Sequence, residues 1–431
     1  MVIGLSGPFC DNNFGDYTML LNAVYDFVSL NKNIEKIIIF SYDDILLRIL
    51  YHDYFSSLMD IEIVKVKSKI ERVGKNSFLE MERTEVLFTP QEILNQIENL
   101  DEVRNKVAET GLMISSGGGQ YNYYWLGLKR RYRLFGIIAP LIVARQLNKK
   151  IVTLGSSFGP WCDNREFFFG LFNYINFDAI NCRDNLYSKK YLGQICVNDN
   201  IYEVCDDLSY INEKLLSRQN AIQLSDYYVL DIYSSIQDIE HNIDSIISFV
   251  KNIKSSCNLT PVFVALGNGY SGERQAQLLK KYIPELIIYQ SNKEYLPPED
   301  FVPLIKGAAF VLCEHYHTFV VSITNKIPAV MLIRKIDGSR FYYYNKTVGF
   351  LKISGVLEKS ESGEELFCVF NLLELFDASE KFDRRIKTIS EILKVHEFNF
   401  LIKLHYMKRV LNLCDMCGGV ERVCWGGGNS L

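Results

Sequence analysis

The chain has 431 residues, a formal net charge of -4 and 48% hydrophobic residues. That length suits two domains rather than one core, and the apolar content excludes a disordered chain. The slightly acidic balance argues against a nucleic-acid partner, which usually brings a basic excess. Met1 runs straight into "VIGLSGPF" with no basic segment before it, so no signal peptide is expected. The longest apolar stretch, "FGIIAPLIVA", is too short to span a bilayer. The 11 cysteines are scattered and odd in number, which fits a reducing compartment and a cytoplasmic location.

In chain order, "VIGLSG" reads as a strand. "DYTMLLNAVYDFVSLN" then puts Met19, Leu20, Ala23, Val24, Phe27 and Val28 on one helical face. "KIIIFS" and "EIVKVK" read as strands, and residues 68–110 are charged, ambiguous and partly helical. "GLMISSGGG" is a strand ending in glycines, "FGIIAPLIVARQLN" a helix, and "KIVTLG" and "AINCRD" two further strands. A second series begins near residue 226. "YYVLDIYS", "PVFVALGN", "LIIYQS", "FVLCEHYH" and "AVMLIR" read as strands, with residues 238–255 helical. This alternation predicts an α/β chain of two Rossmann-like domains with parallel sheets facing a cleft. The expected divisions are residues 1–215, 216–360 and a helical C-terminal segment and tail, 361–431, packing back across both domains. Ligands of open α/β sheets bind beyond the strand C-terminal ends, so the informative residues should follow strands.

Several unusual stretches do. "NNFGD" (12–16) opens the first helix. Asp16 is either a plain helix cap or a carboxylate facing the cleft as a base or hydroxyl acceptor, with Asn13 beside it. "SSGGGQ" holds Gly117, Gly118 and Gly119, which serve either a turn or the approach of backbone N–H groups to an anion or sugar. No Gly-Lys-Ser/Thr follows, so it is not a P-loop. "GSSFGP" leaves Ser156, Ser157 and Gly159 with little side chain, as a loop touched by a ligand would need; a structural turn is the alternative. In "CRDNLYS", Arg183 either pairs locally with Asp184 or grips a carboxylate or phosphate with its planar fork. "CEHYHTF" places His315 and His317 at i and i+2, on one face if the strand continues, and "VVSITNKIPAVML" after it reads as helix, short turn and strand. A metal there lacks an evident third ligand, so a role in binding phosphate or a leaving group is preferred and no metal or cofactor is expected. "CDMCGGVERVC" has one C-x-x-C and a third cysteine without a second pair, which reads as a frayed tail before a zinc site. The helix-period segment 384–410 mixes Lys and Arg with Leu, Ile and Phe; core packing is the first reading, a peripheral contact with the inner membrane surface the second.

Taken in order, "NNFGD", "SSGGGQ", "GSSFGP", "CRDNLYS" and "HYHTFVVSITNKIP" resemble the motifs of the polysaccharide pyruvyl transferase family, over residues 4 to about 350. The resemblance implies a glycosyltransferase-B-like pair of domains. It also implies transfer of the enolpyruvyl unit of phosphoenolpyruvate to two hydroxyls of a sugar or glycan, free or lipid-linked, giving a cyclic ketal and phosphate. By that analogy Arg183 and His317 match the family's donor-binding arginine and histidine. One departure matters: the family usually carries Arg-x-His where this chain has His315-Tyr316-His317. Either a nearby base such as Arg334, Lys335 or Arg340 compensates, or the donor is another anion. The rival readings are a glycosyltransferase of the same architecture using a nucleotide sugar, and a catalytically degenerate glycan-binding member. In the preferred scheme Arg183 holds the donor, His317 binds its phosphate or gives a proton, Asp16 meets the acceptor hydroxyl, and His315 and Arg340 add binding contacts.

Overall fold

A computed structural model gives the architecture. It describes residues 1–397 apart from 11, 31–32, 71–87, 129, 185, 196–199, 218–223, 267–271, 337–338 and 358–362. The apolar runs become two parallel sheets. In the first, β1 (Val2–Ser6), β2 (Lys36–Ser41), β3 (Asp60–Lys65), β4 (Leu112–Ser115) and β5 (Lys150–Thr153) lie in the order β3-β2-β1-β4-β5. A short pair, β6 (Ile180–Cys182) and β7 (Ile201–Glu203), is tied to the end of β5 by single bridges from Val152 to Ala179 and Ser156 to Cys182. The second sheet holds β8 (Tyr227–Asp231), β9 (Thr260–Val264), β10 (Ile287–Tyr289), β11 (Val311–Cys313), β12 (Ala329–Leu332) and β13 (Cys368–Val369), in the order β10-β9-β8-β11-β12-β13. Neighbouring strands are parallel throughout. Parallel strands covered on both faces have no solvent side, so they read as continuous apolar runs. All five residues of β8 are buried, Asp231 included.

The strand order reverses between β1 and β4 in the first sheet and between β8 and β11 in the second. At each reversal the connections leave in opposite directions and open a crevice beyond the strand ends. The first helix, Phe14–Leu30, starts at one crevice, and the helix Tyr316–Thr324 starts at the other. The two halves meet along the first helix. The Phe14 and Phe301 rings lie 4.3 Å apart, and the Tyr17 hydroxyl donates to the Leu296 carbonyl at 2.7 Å. Asn22 caps the linker side by donating to the carbonyl of Asp207 at 2.8 Å.

Three readings of the sequence need correction. The strand expected over "FVLCEHYH" ends at Cys313, and a helix begins at Tyr316. His315 and His317 therefore do not share a strand face; His315 stands at the helix N-cap and its carbonyl accepts from Phe319 N–H at 3.2 Å. All nine residues of this helix are buried, so it has no polar face to betray a helical period. The stretch 238–255 is broken into two helices, Ile236–His241 and Ile243–Cys257. The segment after residue 360 also contributes β13 to the second sheet, and the described part of its helix, Glu380–Val395, packs there. Phe382 lies 4.9 Å from Phe249 and 5.3 Å from Phe310. The cysteines at 414–424 lie outside the described residues. Among the described residues, no helix is long and apolar enough to cross a membrane.

Candidate functional site

The two crevices open onto one cavity of about 430 Å³. The first half lines it with Asn13, Asp16, Gly118, Gly119 and Tyr124; the second with Tyr233, His315, His317, Arg334 and Lys346. Asp16 sits in the first turn of its helix, its backbone N–H bonded to the Asn13 carbonyl at 3.0 Å. Asn13 steers it, donating from Nδ2 to the Asp16 carboxylate at 2.9 Å. Asn13, whose Oδ1 accepts from Gly15 N–H at 3.3 Å, holds the helix start, so Asp16 is not the cap and lines the cavity instead.

Between them Gly15 explains why the motif carries a glycine. A Cβ at Gly15 would fall 1.6 Å from His317 Nδ1. The first-half turn and the second-half helix touch here, and any side chain would force them apart. His317 lines the cavity, and its Nε2 is buried without a hydrogen-bond partner. Burial pushes its pKa down to about 3, overriding the pull of Asp206 in the other direction. The ring is therefore neutral at ordinary pH, a hydrogen-bonding group rather than a cation.

Arg183 is 1% exposed and lies behind the glycine loop, not in the cavity. Its Nε donates to Ser157 Oγ at 2.7 Å and its Nη1 to Asp206 Oδ2 at 2.6 Å. Its face covers the Tyr316 ring at 4.8 Å, and Nη2 is buried without a partner. Burial alone would raise the Asp206 pKa, but the Arg183 guanidinium, with His317 and Lys346 adding, holds it below the usual carboxylate range. A Cβ at Gly118 would lie 2.6 Å from Arg183 Nη1, so the guanidinium is one glycine's thickness from the cavity. Arg183 and His317 do converge across the halves, through Tyr316 and Asp206. The local Arg183–Asp184 pair is absent: Asp184 instead caps the backbone N–H groups of Tyr187 and Ser188 at 2.7 and 2.8 Å.

"GSSFGP" serves that same buried layer. Ser156 Oγ donates to the Gly117 carbonyl at 2.8 Å, and Ser157 N–H donates to the Gly118 carbonyl at 2.7 Å. Ser156, Ser157, Gly117 and Gly159 do not line the cavity; Gly117 and Gly159 hold φ of +106° and +70° in the turns beneath it. Small residues here let two loops stack under Gly118 and Gly119, which do line it.

Of the bases near the histidine motif, Arg334 reaches the cavity. It lies between the Tyr233 and Tyr343 rings at 4.8 and 4.7 Å and donates to the Tyr343 hydroxyl at 2.8 Å. Arg340 is elsewhere, donating to the carbonyls of Ile333 at 3.3 Å and Phe370 at 2.6 Å. Lys335 is exposed and lies outside the cavity lining. His315 faces the cavity beside Tyr233 and bonds Asp231 through Nδ1 at 2.5 Å.

Sequence reasoning missed Lys346. It lies mid-helix in Phe341–Ile353, inside the aromatic run "FYYYNKTVGF", where no motif marks it. Its ammonium rests over the Tyr316 ring at 4.5 Å and the Tyr342 ring at 5.1 Å and lines the cavity. Burial, with Arg183 adding, pushes its pKa well below the ordinary lysine value. Asp231 and Asp206 were missed too. The available signal was position: each acid closes or closely follows a strand, "YYVLD" and "IYEVCD".

The overall architecture has close counterparts of distant sequence. UDP-GlcNAc 2-epimerase from Methanocaldococcus jannaschii superposes with a TM-score of 0.55 at 12% identity, over 96% of this chain and 100% of that one. UDP-GlcNAc 2-epimerase from Neisseria meningitidis gives 0.54 at 10%, over 97% and 100%. The glycotransferase of kitacinnamycin gives 0.51 at 8%, over 95% and 98%. At such identities these matches establish a shared glycosyltransferase-B-like fold of two Rossmann-like domains. No curated protein matches the sequence. The profile of the polysaccharide pyruvyl transferase family, however, matches residues 13–335, from the Asn13 turn through the histidine helix to Lys335. The chain is a transferase belonging to the polysaccharide pyruvyl transferase family.

Proposed function

We propose that the protein transfers the pyruvyl unit of phosphoenolpyruvate to two hydroxyls of a sugar in a glycan or glycan precursor. One observation carries this reading: Lys346 and the Nε2 of His317 line one cavity, and among the described residues Lys346 has no ion pair and the Nε2 no hydrogen-bond partner. A small donor bearing a carboxylate and a phosphate would supply what both lack. Its charge would favour the ammonium form of Lys346, because a bound anion offsets the burial that disfavours it. Arg334 adds a fixed cation on the same wall, in the sector where the family's usual arginine is replaced by His315. Arg183 contributes from behind Gly118, holding Tyr316 and the glycine loop in place. Asp16, on the opposite wall, would take the acceptor hydroxyl. Fixed cations around a developing phosphate leaving group stabilise it more in such a cavity than in water.

A nucleotide-sugar donor is the second reading. It is favoured by the rings of Tyr42, Trp125 and Tyr132, which also line the cavity, where a base could stack. Incubation with phosphoenolpyruvate or with nucleotide sugars, each with a panel of glycan acceptors, separates the two. Phosphate release with a ketal product is the expected outcome; nucleotide release would move the function to glycosyl transfer.

A further inference from the structure

Two histidines one residue apart occupy opposite electrostatic settings at the start of one helix. His317 is wedged against Gly15, its Nε2 without a partner. His315 is tied to Asp231: its Nδ1 lies 2.5 Å from Oδ1, and its backbone N–H donates to Oδ2 at 3.3 Å. Asp231 is 1% exposed and ends β8, so the sheet itself fixes the carboxylate. The Tyr233 ring packs on the imidazole at 5.3 Å. With Nδ1 committed to Asp231, Nε2 is the ring nitrogen left for chemistry in the cavity that His315 lines.

We propose that His315, oriented by Asp231, is the proton-transfer group of this site, and that His317 binds without changing charge. The assignment rests on the pyruvyl-transfer reading. In that reaction the His315 imidazolium gives its proton to C3 of the enolpyruvyl unit as the first sugar hydroxyl bonds to C2. The C2–O bond to phosphate then breaks, and phosphate leaves carrying that hydroxyl's proton. The second hydroxyl bonds to C2 and returns its proton to His315, so phosphoenolpyruvate and a diol give a ketal and hydrogen phosphate, with the imidazolium restored. Asp231 is a positioning residue: it holds the ring and stabilises the charged form it passes through.

The groups facing His315 fit that cycle. Glu314, adjacent in sequence, is buried and bonded by Ser234, and burial favours its protonated form. Arg334 lies nearby between two tyrosine rings. His317 and Lys346 complete the wall, leaving Asp231 as the carboxylate in direct contact with the ring. The two histidines thus divide the labour that one residue could not perform: a ring that must stay neutral to hydrogen-bond cannot also cycle its charge.

The test is the pH dependence of turnover in His315→Ala, Asp231→Asn and His317→Gln, with folding checked by thermal melting. Asp231→Asn should lower kcat about hundredfold with KM little changed, while the alkaline limb of the profile remains. His315→Ala should lose that limb and regain part of its turnover on adding imidazole, which a merely structural histidine would not do. His317→Gln should raise KM and keep the limb. A limb that persists in His315→Ala, or vanishes in His317→Gln, overturns the assignment. Should nucleotide be released instead of phosphate, the donor reading fails, and the same profiles on that turnover still decide His315. Absence of turnover with either donor in the wild type overturns both.

Discussion

The two crevices are built on the same plan and carry opposite chemistry. Beyond β1 and β4 the chain supplies space: Gly15, Gly118 and Gly119 bring backbone close, and Asp16 is the charged group that faces the cavity there from the first helix. Arg183, which follows β6, is sealed beneath the loop in an ion pair with Asp206, and the arginines that line the cavity from that half are Arg130 and Arg133. Beyond β8 and β11 the chain supplies side chains: His315, His317, Arg334 and, from the following helix, Lys346. A cation buried with its own carboxylate has little field left for a ligand, whereas one resting on tyrosine rings keeps its need for an anion. The fold supplies two equivalent crevices, and the placement of counter-ions decides which becomes scaffold and which becomes site.

The sharpest way to break that contrast is at Arg183. If its first duty is structural, Arg183→Met leaves Asp206 buried without its ion-pair partner, a loss of about 3–5 kcal/mol. The double variant Arg183→Met/Asp206→Leu should regain most of it. Urea unfolding reads both. An Arg183→Met protein of wild-type stability that fails only to bind phosphoenolpyruvate would show instead that the guanidinium swings into the cavity as a donor ligand.

Lys346 is the converse. It forms no ion pair among the described residues, so Lys346→Met should fold with near-native stability. It should also lose the charge-assisted contact to the donor, about 1.5–3 kcal/mol, or tenfold and more in affinity. Calorimetric titration with phosphoenolpyruvate measures it. Unchanged affinity would return the donor site to the first crevice.

The same contrast explains what could be read from the sequence. The strands were legible because parallel strands buried on both faces are uninterrupted apolar runs. The helix at Tyr316–Thr324 was legible in its second half, "VVSIT", but its first turn read as strand, because a wholly buried helix gives the same run. The glycine and arginine motifs marked the first crevice well, since close backbone approach needs particular residues. They also drew attention to Arg183 as a ligand, since its partner Asp206 stands 23 residues away in "VCDDLS" and nothing local announces the pair. Lys346 and Asp231 carry no motif at all: one is a lysine among tyrosines, the other an acid closing a strand. Their meaning comes from what the fold leaves beside them.

The most gradual effect is the most specific to the second crevice. His317 is neutral in the folded protein down to a pKa of about 3, against an ordinary value of 6.5. A folded-state pKa below the unfolded one means that the unfolded chain binds the extra proton first as pH falls. Stability should therefore be full above about pH 6.5 and decline toward pH 3, with His317 contributing a slope of about 1.4 kcal/mol per pH unit between those limits. Carboxylates titrate in the same window, so the measurement is a difference: His317→Gln against wild type, by urea unfolding at each pH. The variant should lose stability less steeply on acidification, the curves converging as pH falls. Parallel curves would mean that His317 takes up its proton in the folded state. The second crevice would then hold a third cation beside Lys346 and Arg334, and the separation of a neutral His317 from a charge-cycling His315 would fail with it.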